Sequence, residues 1–543
     1  MKRKFFAIII FIIVAVAAFF GIQYFTKSGM FKVYGKLEIA ENVPKDIKSK
    51  LTSISDGEDK IERDIAINMN YSLESPKKLN CDATLGCEAN LLYDILVPVA
   101  DFYNSNNAIS ANEVSAKAND HFEAYLTQRS TYDNSDDQKS TPFAPIISAL
   151  GSSDTSVKFI SVLNLGKDQK LLSFDYDGDY KYYLDTLESG AIFIYVNIPL
   201  VAKEGVESNL SRTANEDENK VIDLISPALK QFPTKDAVLS FAQTGVTALS
   251  RNMLSRLNQV GGDAAYFAEN IKDFLSSKDL THISNESSFT NYATSSNICA
   301  DPRMIGAITT IGTDIVELTG NHNLDCGDEA AISTIDKYNE LGMKIVGGGK
   351  NAEEAAKPLE INQKGTGITF LAYNQSTGGA TYDGTPGANQ YYEEDAVTNI
   401  NAAKERGDIV IVDIQYYECS AYVSTTEDTT CDYANSAAGD QVGFFRHLID
   451  LGADIVVGTS AHQPQTYELY GNGAIYYGLG NLFFDQVWWP GTTRSLILTH
   501  YFWNGKLLNT RITPTVFDSK MQVKLMDEEG AEWFINRLNQ VRP

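Results

Sequence analysis

Short apolar runs alternate with amphipathic stretches through residues 236–517. Val238 to Ala242, Leu280 to Ser284, Asp314 to Gly320, Lys344 to Val346, Ile368 to Ala372, Asp408 to Ile414 and Asp454 to Gly458 read as buried strands. They are short and are bounded by polar or glycine-rich turns. Thr247 to Leu257, Ala264 to Phe274, Asp395 to Glu405 and Asp440 to Leu451 read as helices, as does the segment carrying Ile332, Ile335, Tyr338 and Leu341. Strands alternating with helices predict an α/β domain with a largely parallel, covered sheet. Beyond Gly458 the rhythm changes. Gly471-Asn472-Gly473 and Asn504-Gly505 predict hairpin turns, and residues 528–540 a short terminal helix.

The preceding region is less regular. Phe159 to Leu163 and Ile192 to Leu200 read as strands, Ala89 to Tyr103 as a helix, and 128–142 and 203–220 as polar loops. This mixture predicts a separate α/β domain. Asp175-Tyr176-Asp177-Gly178-Asp179 has the acidic spacing of a calcium loop, but Tyr180 and Thr186 stand where that loop needs Gly and Glu. The alternating flanks, Leu171 to Phe174 and Tyr180 to Leu184, instead predict a hairpin with an Asp-Gly turn.

At the start of the chain Lys2, Arg3 and Lys4 precede an uncharged run from Phe5 to Ile22, long enough to cross a bilayer. The basic end stays inside, so the bulk of the chain is expected outside the cytoplasm as a single-pass cell-membrane protein. A cleavable signal peptide is the rival reading, with Ala15-Val16-Ala17 as a cleavage-like triplet. The expected organisation is a cytoplasmic tip and transmembrane anchor (1–30), an extracytoplasmic α/β domain (31–235), the strand–helix domain (236–517) and a C-terminal helix (518–543).

The net charge of −25 argues against nucleic acid as a partner, because phosphate binding needs basic patches. The six cysteines form an even set compatible with disulfides in an exported chain: Cys81 with Cys87 six apart, Cys299 and Cys326 flanking one α/β unit, and Cys419 and Cys431 bracketing a polar loop. A Cys419–Cys431 bridge is expected to close that loop. No CxxC occurs, which disfavours a zinc ribbon.

Candidate chemistry falls in one kind of place. Asn285 and Glu286, Asn321 and His322, Gln415 and Glu418, and Thr459, Ser460 and His462 each follow an apolar strand. The C-terminal ends of parallel strands lie side by side, so these groups are expected to converge on one pocket. Such a set of oxygen and nitrogen ligands suits a metal-assisted hydrolase. Two of the six histidines take part.

The order of motifs resembles a known family. Thr319-Gly320-Asn321-His322-Asn323-Leu324-Asp325 with Gly327 is similar to its Asn-Asn-His…Asp-x-Gly segment. Ile345-Val346-Gly347-Gly348-Gly349, with Asn351, Glu354 and Ala355-Ala356-Lys357-Pro358, resembles the next block, and Thr369-Phe370-Leu371-Ala372-Tyr373 follows. Gly458-Thr459-Ser460-Ala461-His462-Gln463-Pro464-Gln465 resembles its Gly-His-His-Pro-His block, and Tyr477-Gly478-Leu479-Gly480-Asn481-Leu482-Phe483-Phe484-Asp485-Gln486 its Leu-Gly-Asn-Phe block. This is the pattern of the CapA family, associated with capsule and poly-γ-glutamate synthesis. The resemblance covers about residues 236–517 and implies a four-layered α/β/β/α domain related to calcineurin-like metallophosphoesterases. It implies Glu286, Asn321, His322 and His462 as ligands of a divalent metal (Mn, Zn or Mg), with Glu286, His322 and His462 carrying metal-assisted hydrolysis or transfer on an extracellular polymer. The implied partners are an anionic or polysaccharide cell-surface polymer and a synthase complex.

The sequence also departs from the family. Where its first block carries Gly-Asp, Thr244-Gly245-Val246-Thr247-Ala248-Leu249 has no carboxylate. Gln415 stands where a His is usual, and Thr459 or Ser460 replaces the first His of the Gly-His-His-Pro-His block. The missing ligands carry the alternative: a catalytically degenerate domain that binds the polymer or a synthase partner. Further upstream, Ile95 to Tyr103 resembles a segment that precedes some CapA-like domains, where the upstream domain is similar to periplasmic solute-binding folds. A solute receptor built there is a third reading.

Overall fold

The computed structural model describes residues 36–52, 65–77, 79–82, 86–133, 147–148, 157–200, 216–375, 378–381, 384–416 and 441–543. The run Phe5 to Ile22, residue Glu418 and the Cys419–Cys431 pair lie outside these residues. Among the described residues no helix is long and apolar enough to cross a membrane. The chain divides into two compact units. The first comprises residues 1–97, 110–164 and 188–232, and the second comprises 98–109, 165–187 and 233–543. Two stretches of the N-terminal half thus fold with the C-terminal unit.

The first unit is built on a sheet with strands Leu37–Ile39, Ile65–Glu74, Ser189–Leu200, Gly86–Asp101, Lys158–Ser161 and Ile147–Ser148 in that spatial order. Residues 89–101 are therefore strand, where apolar spacing suggested a helix. Leu91 to Ala100 is apolar at nearly every position, and a strand buried on both faces cannot be told from a buried helix by periodicity. Two segments expected to be polar loops are partly helical, in Ala118–Asp133 and Glu216–Ile225. Cys81 lies directly across from Cys87 in an antiparallel pair, which the six-residue spacing permits.

Two large sheets build the second unit. The first uses β1 (Leu239–Thr247), β2 (Leu280–Asn285), β3 (Ile315–Glu317) and β4 (Lys344–Val346). The second uses β5 (Leu359–Gln363), β6 (Thr366–Asn374), β7 (Ile409–Gln415), β8 (Ile455–Gly458), β9 (Tyr467–Tyr470) and β10 (Gly473–Tyr476). The chain then returns to the first sheet with β11 (Asn481–Phe483), β12 (Arg494–Trp503), β13 (Lys506–Phe517) and β14 (Val523–Leu525). The orders are β4-β3-β2-β1-β12-β13-β14, with β11 on β1, and β5-β6-β7-β8-β10-β9. Neighbours among β1–β4 and among β6, β7, β8 and β10 are parallel. The late hairpin strands β12–β14 pair antiparallel.

Phe241, Leu280 and Ile315 from the first sheet meet Phe370, Ile411 and Val457 from the second in one buried core. The outer face of the first sheet is covered by α1 (Asn252–Gln259), α2 (Ala265–Ala268), α3 (Lys272–Ser276), α4 (Ile305–Thr310) and α5 (Asp328–Glu340). The outer face of the second is covered by α6 (Glu393–Arg406) and α7 (Gln441–Asp450). The layering is therefore α/β/β/α, and α8 (Glu528–Gln540) closes the unit. Two helices differ from expectation. The stretch from Thr247 begins as strand because β1 continues through it, and the helix starts only at Asn252. The stretch 264–274 breaks into α2 and α3. The Asp-Gly hairpin forms as expected between strands Ser173–Tyr176 and Asp179–Lys181, with Asp177 and Gly178 at φ of 53° and 94°. Both values suit a mirror-image turn.

Candidate functional site

The parallel strands of both sheets deliver polar residues to one edge. Glu286 follows β2 and its amide donates to the carbonyl of Thr247 at the end of β1. After β3 the chain turns through Thr319, Gly320, Asn321 and His322. The buried Asn323 shapes this turn by donating to the carbonyls of Leu318 (3.1 Å) and Gly320 (3.2 Å). From the other sheet, Asn374 donates to the Thr319 carbonyl at 2.8 Å. Gly320 is required by proximity: a Cβ there would lie 2.6 Å from Glu286 Cγ and 3.0 Å from Glu286 Cα.

Gln415, the last residue of β7, sits at the meeting point. Its Nε2 donates to Asn321 Oδ1 (3.1 Å), Ser460 Oγ (3.3 Å) and Glu286 Oε1 (3.5 Å). Thr459 Oγ1 donates to Gln415 Oε1 at 3.4 Å. Glu286, Gln415, Thr459 and Ser460 are all buried. The two sheets are thus joined at this edge by one amide group reaching oxygens from three different strand ends.

The histidines lie beside this cluster in different states. His322 is partly exposed, and its Nδ1 pairs with Asp325 Oδ2 at 2.8 Å. His462 is buried, with Nδ1 at 2.9 Å from Asn481 Oδ1 and its ring 5.1 Å from that of Phe484. Burial holds His462 down at about 4, and the charges of His322 and Arg251 push the same way. His462 is therefore a neutral imidazole at neutral pH.

Sequence reasoning missed two features. The first is a rim. Arg251, in a left-handed conformation at φ 52°, donates to Asp485 Oδ1 from Nε (2.9 Å) and Nη2 (2.5 Å). Its guanidinium lies 4.4 Å from the centre of Phe484 and 5.5 Å from that of the half-exposed Trp488. The second is a polar line between the sheets. Gln243 Nε2 donates to Asp413 Oδ1 at 2.5 Å, His282 Nε2 lies 3.0 Å from Asp413 Oδ2, and His500 Nε2 lies 3.3 Å from Gln243 Oε1. Glu317 accepts from the amide and hydroxyl of Thr319, and its carboxyl is raised by burial and by the nearby Asp413. Titratable residues inside the fully buried strands at 280–285, 315–317 and 409–415 (His282, Glu317 and Asp413) are the signal that could have found it. Such groups need partners across the core.

Among the described residues, the side chains at the strand ends do not form a cage for a metal. Among the described residues no group of three or more His, Cys, Asp or Glu side chains is placed to hold an ion. The cluster offers one carboxylate, Glu286, and the Gln415 amide nitrogen, a donor, faces the oxygens that would otherwise converge on a cation. His322 is turned onto Asp325.

Fold and site together define an α/β/β/α domain with a polar cluster at the carboxyl ends of its parallel strands. Residues 240–486 match the sequence model of the family described as bacterial capsule synthesis protein PGA_cap, and this part of the chain is similar to CapA proteins. The capsule biosynthesis protein CapA of Bacillus anthracis is 23% identical over 281 residues, which are 49% of this chain and 65% of that protein. The PGA biosynthesis protein CapA of Bacillus subtilis strain 168 is 24% identical over 288 residues, 52% of this chain and 72% of that one. The crystal structure of TT1561 of Thermus thermophilus aligns with 49% of this chain and 99% of its own at 11% identity, with a TM-score of 0.26, too low to bear on the fold.

Proposed function

We propose that this protein serves the assembly of a capsule or poly-γ-glutamate polymer, and that its CapA-like unit holds the polymer by polar contacts in a cleft at these strand ends. The chain is placed at the cell membrane through residues 5–22, with both units outside the cytoplasm. The carrying observation is the Gln415 amide, which holds Asn321, Ser460 and Glu286 together where a metal-bearing site would place a cation. Arg251, buttressed by Asp485 and set beside Trp488, supplies a cation and an aromatic platform at the rim. A strained backbone at Arg251 fits a binding role, since such conformations concentrate at functional sites. The overall charge of −25 does not forbid an anionic polymer. Exposed charges further apart than about 8 Å are largely screened at physiological salt, so contacts at the rim are set locally, by the Arg251–Asp485 pair and Trp488.

The second reading is metal-assisted hydrolysis or transfer by Glu286, His322 and His462. The mutual electrostatic reach of His322 and His462 favours it. A titration of fluorescein-labelled poly-γ-glutamate against the full chain, read by anisotropy, separates the readings. Polar binding predicts saturable association that Arg251→Ala weakens at least fivefold. Equal affinity of wild type and Arg251→Ala would remove the rim from the account. Absence of any association would overturn polymer binding itself.

A further inference from the structure

A cavity of about 460 Å³ lies wholly within the C-terminal unit, and none of the strand-end cluster residues lines it. One wall comes from the segments 98–109 and 165–187, the other from β13, β14 and α8. The inserted segments are fixed in place. Asp185 accepts from Lys278 (3.0 Å), Arg511 (2.7 Å) and the Tyr501 hydroxyl, and Tyr182 donates to Asn509 at 2.7 Å. Tyr180, on the hairpin strand 179–181, donates to Glu528 at the start of α8, so one hydrogen bond bridges two of the lining elements. Phe102, Tyr182, Ile512, Leu525, Met526 and Ile535 give the cavity an apolar and aromatic lining.

Four charged groups also line it, Lys170, Arg511, Asp527 and Glu528; Arg511 pairs with Asp185, Glu528 accepts from Tyr180 and Asp527 accepts from the Gly530 amide. Lys170 is held by two carbonyls, Asn104 at 2.8 Å and Ser105 at 3.3 Å. An ammonium group carries three donors. Among the described residues no carboxylate lies within ion-pair distance of Lys170, whereas the neighbouring Arg511 is matched by Asp185. Burial lowers Lys170 to about 7. Glu532 favours the charged form from beyond ion-pair distance and Arg511 opposes it, so an anion supplied from outside at Lys170 would offset the cost of desolvating that charge. The volume falls in the range of small-molecule sites, which combine an apolar lining with a few placed polar groups.

We propose that this cavity binds a small amphipathic acid, whose aromatic or alkyl body lies against Tyr182, Ile512 and Met526 and whose carboxylate accepts from Lys170. The site is independent of the polymer cleft and stands or falls without it. The inserted segments 98–109 and 165–187 complete the cavity, which gives them a binding role within this unit.

The probe is 2-naphthoate, titrated calorimetrically into the full chain, with 2-naphthalenemethanol as its uncharged counterpart. The expected result is one equivalent of saturable binding, at least tenfold weaker for the alcohol and at least tenfold weaker for Lys170→Met. Ala531→Phe fills the cavity from α8 without touching Lys170 and is expected to abolish binding. Circular dichroism and tryptophan fluorescence establish that each variant is folded. If Lys170→Met fails to fold, the acid–alcohol ratio and Ala531→Phe decide the matter. Failure of naphthoate to saturate, equal affinity for acid and alcohol, or undiminished binding to Ala531→Phe would each overturn the proposal.

Discussion

Replacing Gln415 by Glu tests the cluster at the meeting of the two sheets. The change keeps the size of the side chain and exchanges an amide nitrogen for a carboxylate oxygen. That oxygen would lie near the present 3.5 Å from Glu286 Oε1 and 3.1 Å from Asn321 Oδ1. Two unit charges at that separation repel by about 5 kcal/mol at an effective dielectric constant near 20. The lost donor adds about 1–2 kcal/mol, at the low end for a buried group because the bonds are long. The folded pair escapes part of the repulsion by retaining a proton, so its pKa rises above that of the unfolded chain. Stability relative to wild type is then best near the unfolded carboxylate range and is lost as pH rises through the raised folded value. The loss is expected to be small at pH 5 and to reach about 4–5 kcal/mol by pH 8. All four tryptophans, Trp488, Trp489, Trp503 and Trp533, belong to the C-terminal unit, so urea unfolding followed by tryptophan fluorescence reports on that unit. Magnesium at millimolar concentration should restore part of the loss in the variant alone, because two carboxylates and the Asn321 oxygen then face one point. An unchanged unfolding midpoint at both pH values would refute the placement of Gln415 against Glu286.

Gly320→Ala should destabilise the unit by about 1–3 kcal/mol and displace Glu286, since the added methyl meets Glu286 Cγ at 2.6 Å; urea unfolding checks this. His462 is held at about 4 in the fold, below the ordinary imidazole range, so its contribution is full above about pH 6.5 and is lost as pH falls toward 4. His462→Gln should flatten that part of the pH–stability curve, and His500, held at about 3 by burial and His282, should retain a further acid slope. The Cys299–Cys326 disulfide closes a separation of 27 residues, so the Cys299→Ser/Cys326→Ser double variant should lose about 3–4 kcal/mol in the loop-entropy account. Matching urea midpoints for the oxidised protein and the double variant would contradict it.

The alternation of strands and helices was legible because the strands are short, apolar and separated by helices with one apolar face, whereas the α/β/β/α layering was implied only by the family resemblance. β7 shows this well, apolar from Ile409 to Val412 and bounded by Gly407 and Asp408. The grouping of Glu286, Asn321, Gln415 and Ser460 was legible for the same reason, since strand order alone brings the C-terminal ends together. The orientation of each group was not. Nothing in the string Thr319-Gly320-Asn321-His322 says that His322 turns to Asp325, three residues on, or that Asn323 folds the turn beneath it. Arg251 escaped notice because its partner Asp485 lies 234 residues away and the pairing depends on β11 returning to β1. Residues 89–101 were misread because continuous apolarity carries no period. The membership of segments 98–109 and 165–187 in the C-terminal unit rests on contacts such as Asp185 with Arg511, which no local pattern announces.

The central claim is that the strand-end cleft holds its polymer without a metal. The direct test is the affinity of the full chain for labelled poly-γ-glutamate in EDTA and again in manganese, with polymer length followed in the same samples. The account predicts the same affinity in both and a polymer of unchanged length. Binding that appears only with manganese, or shortening of the polymer that EDTA stops and Glu286→Gln abolishes, would contradict it.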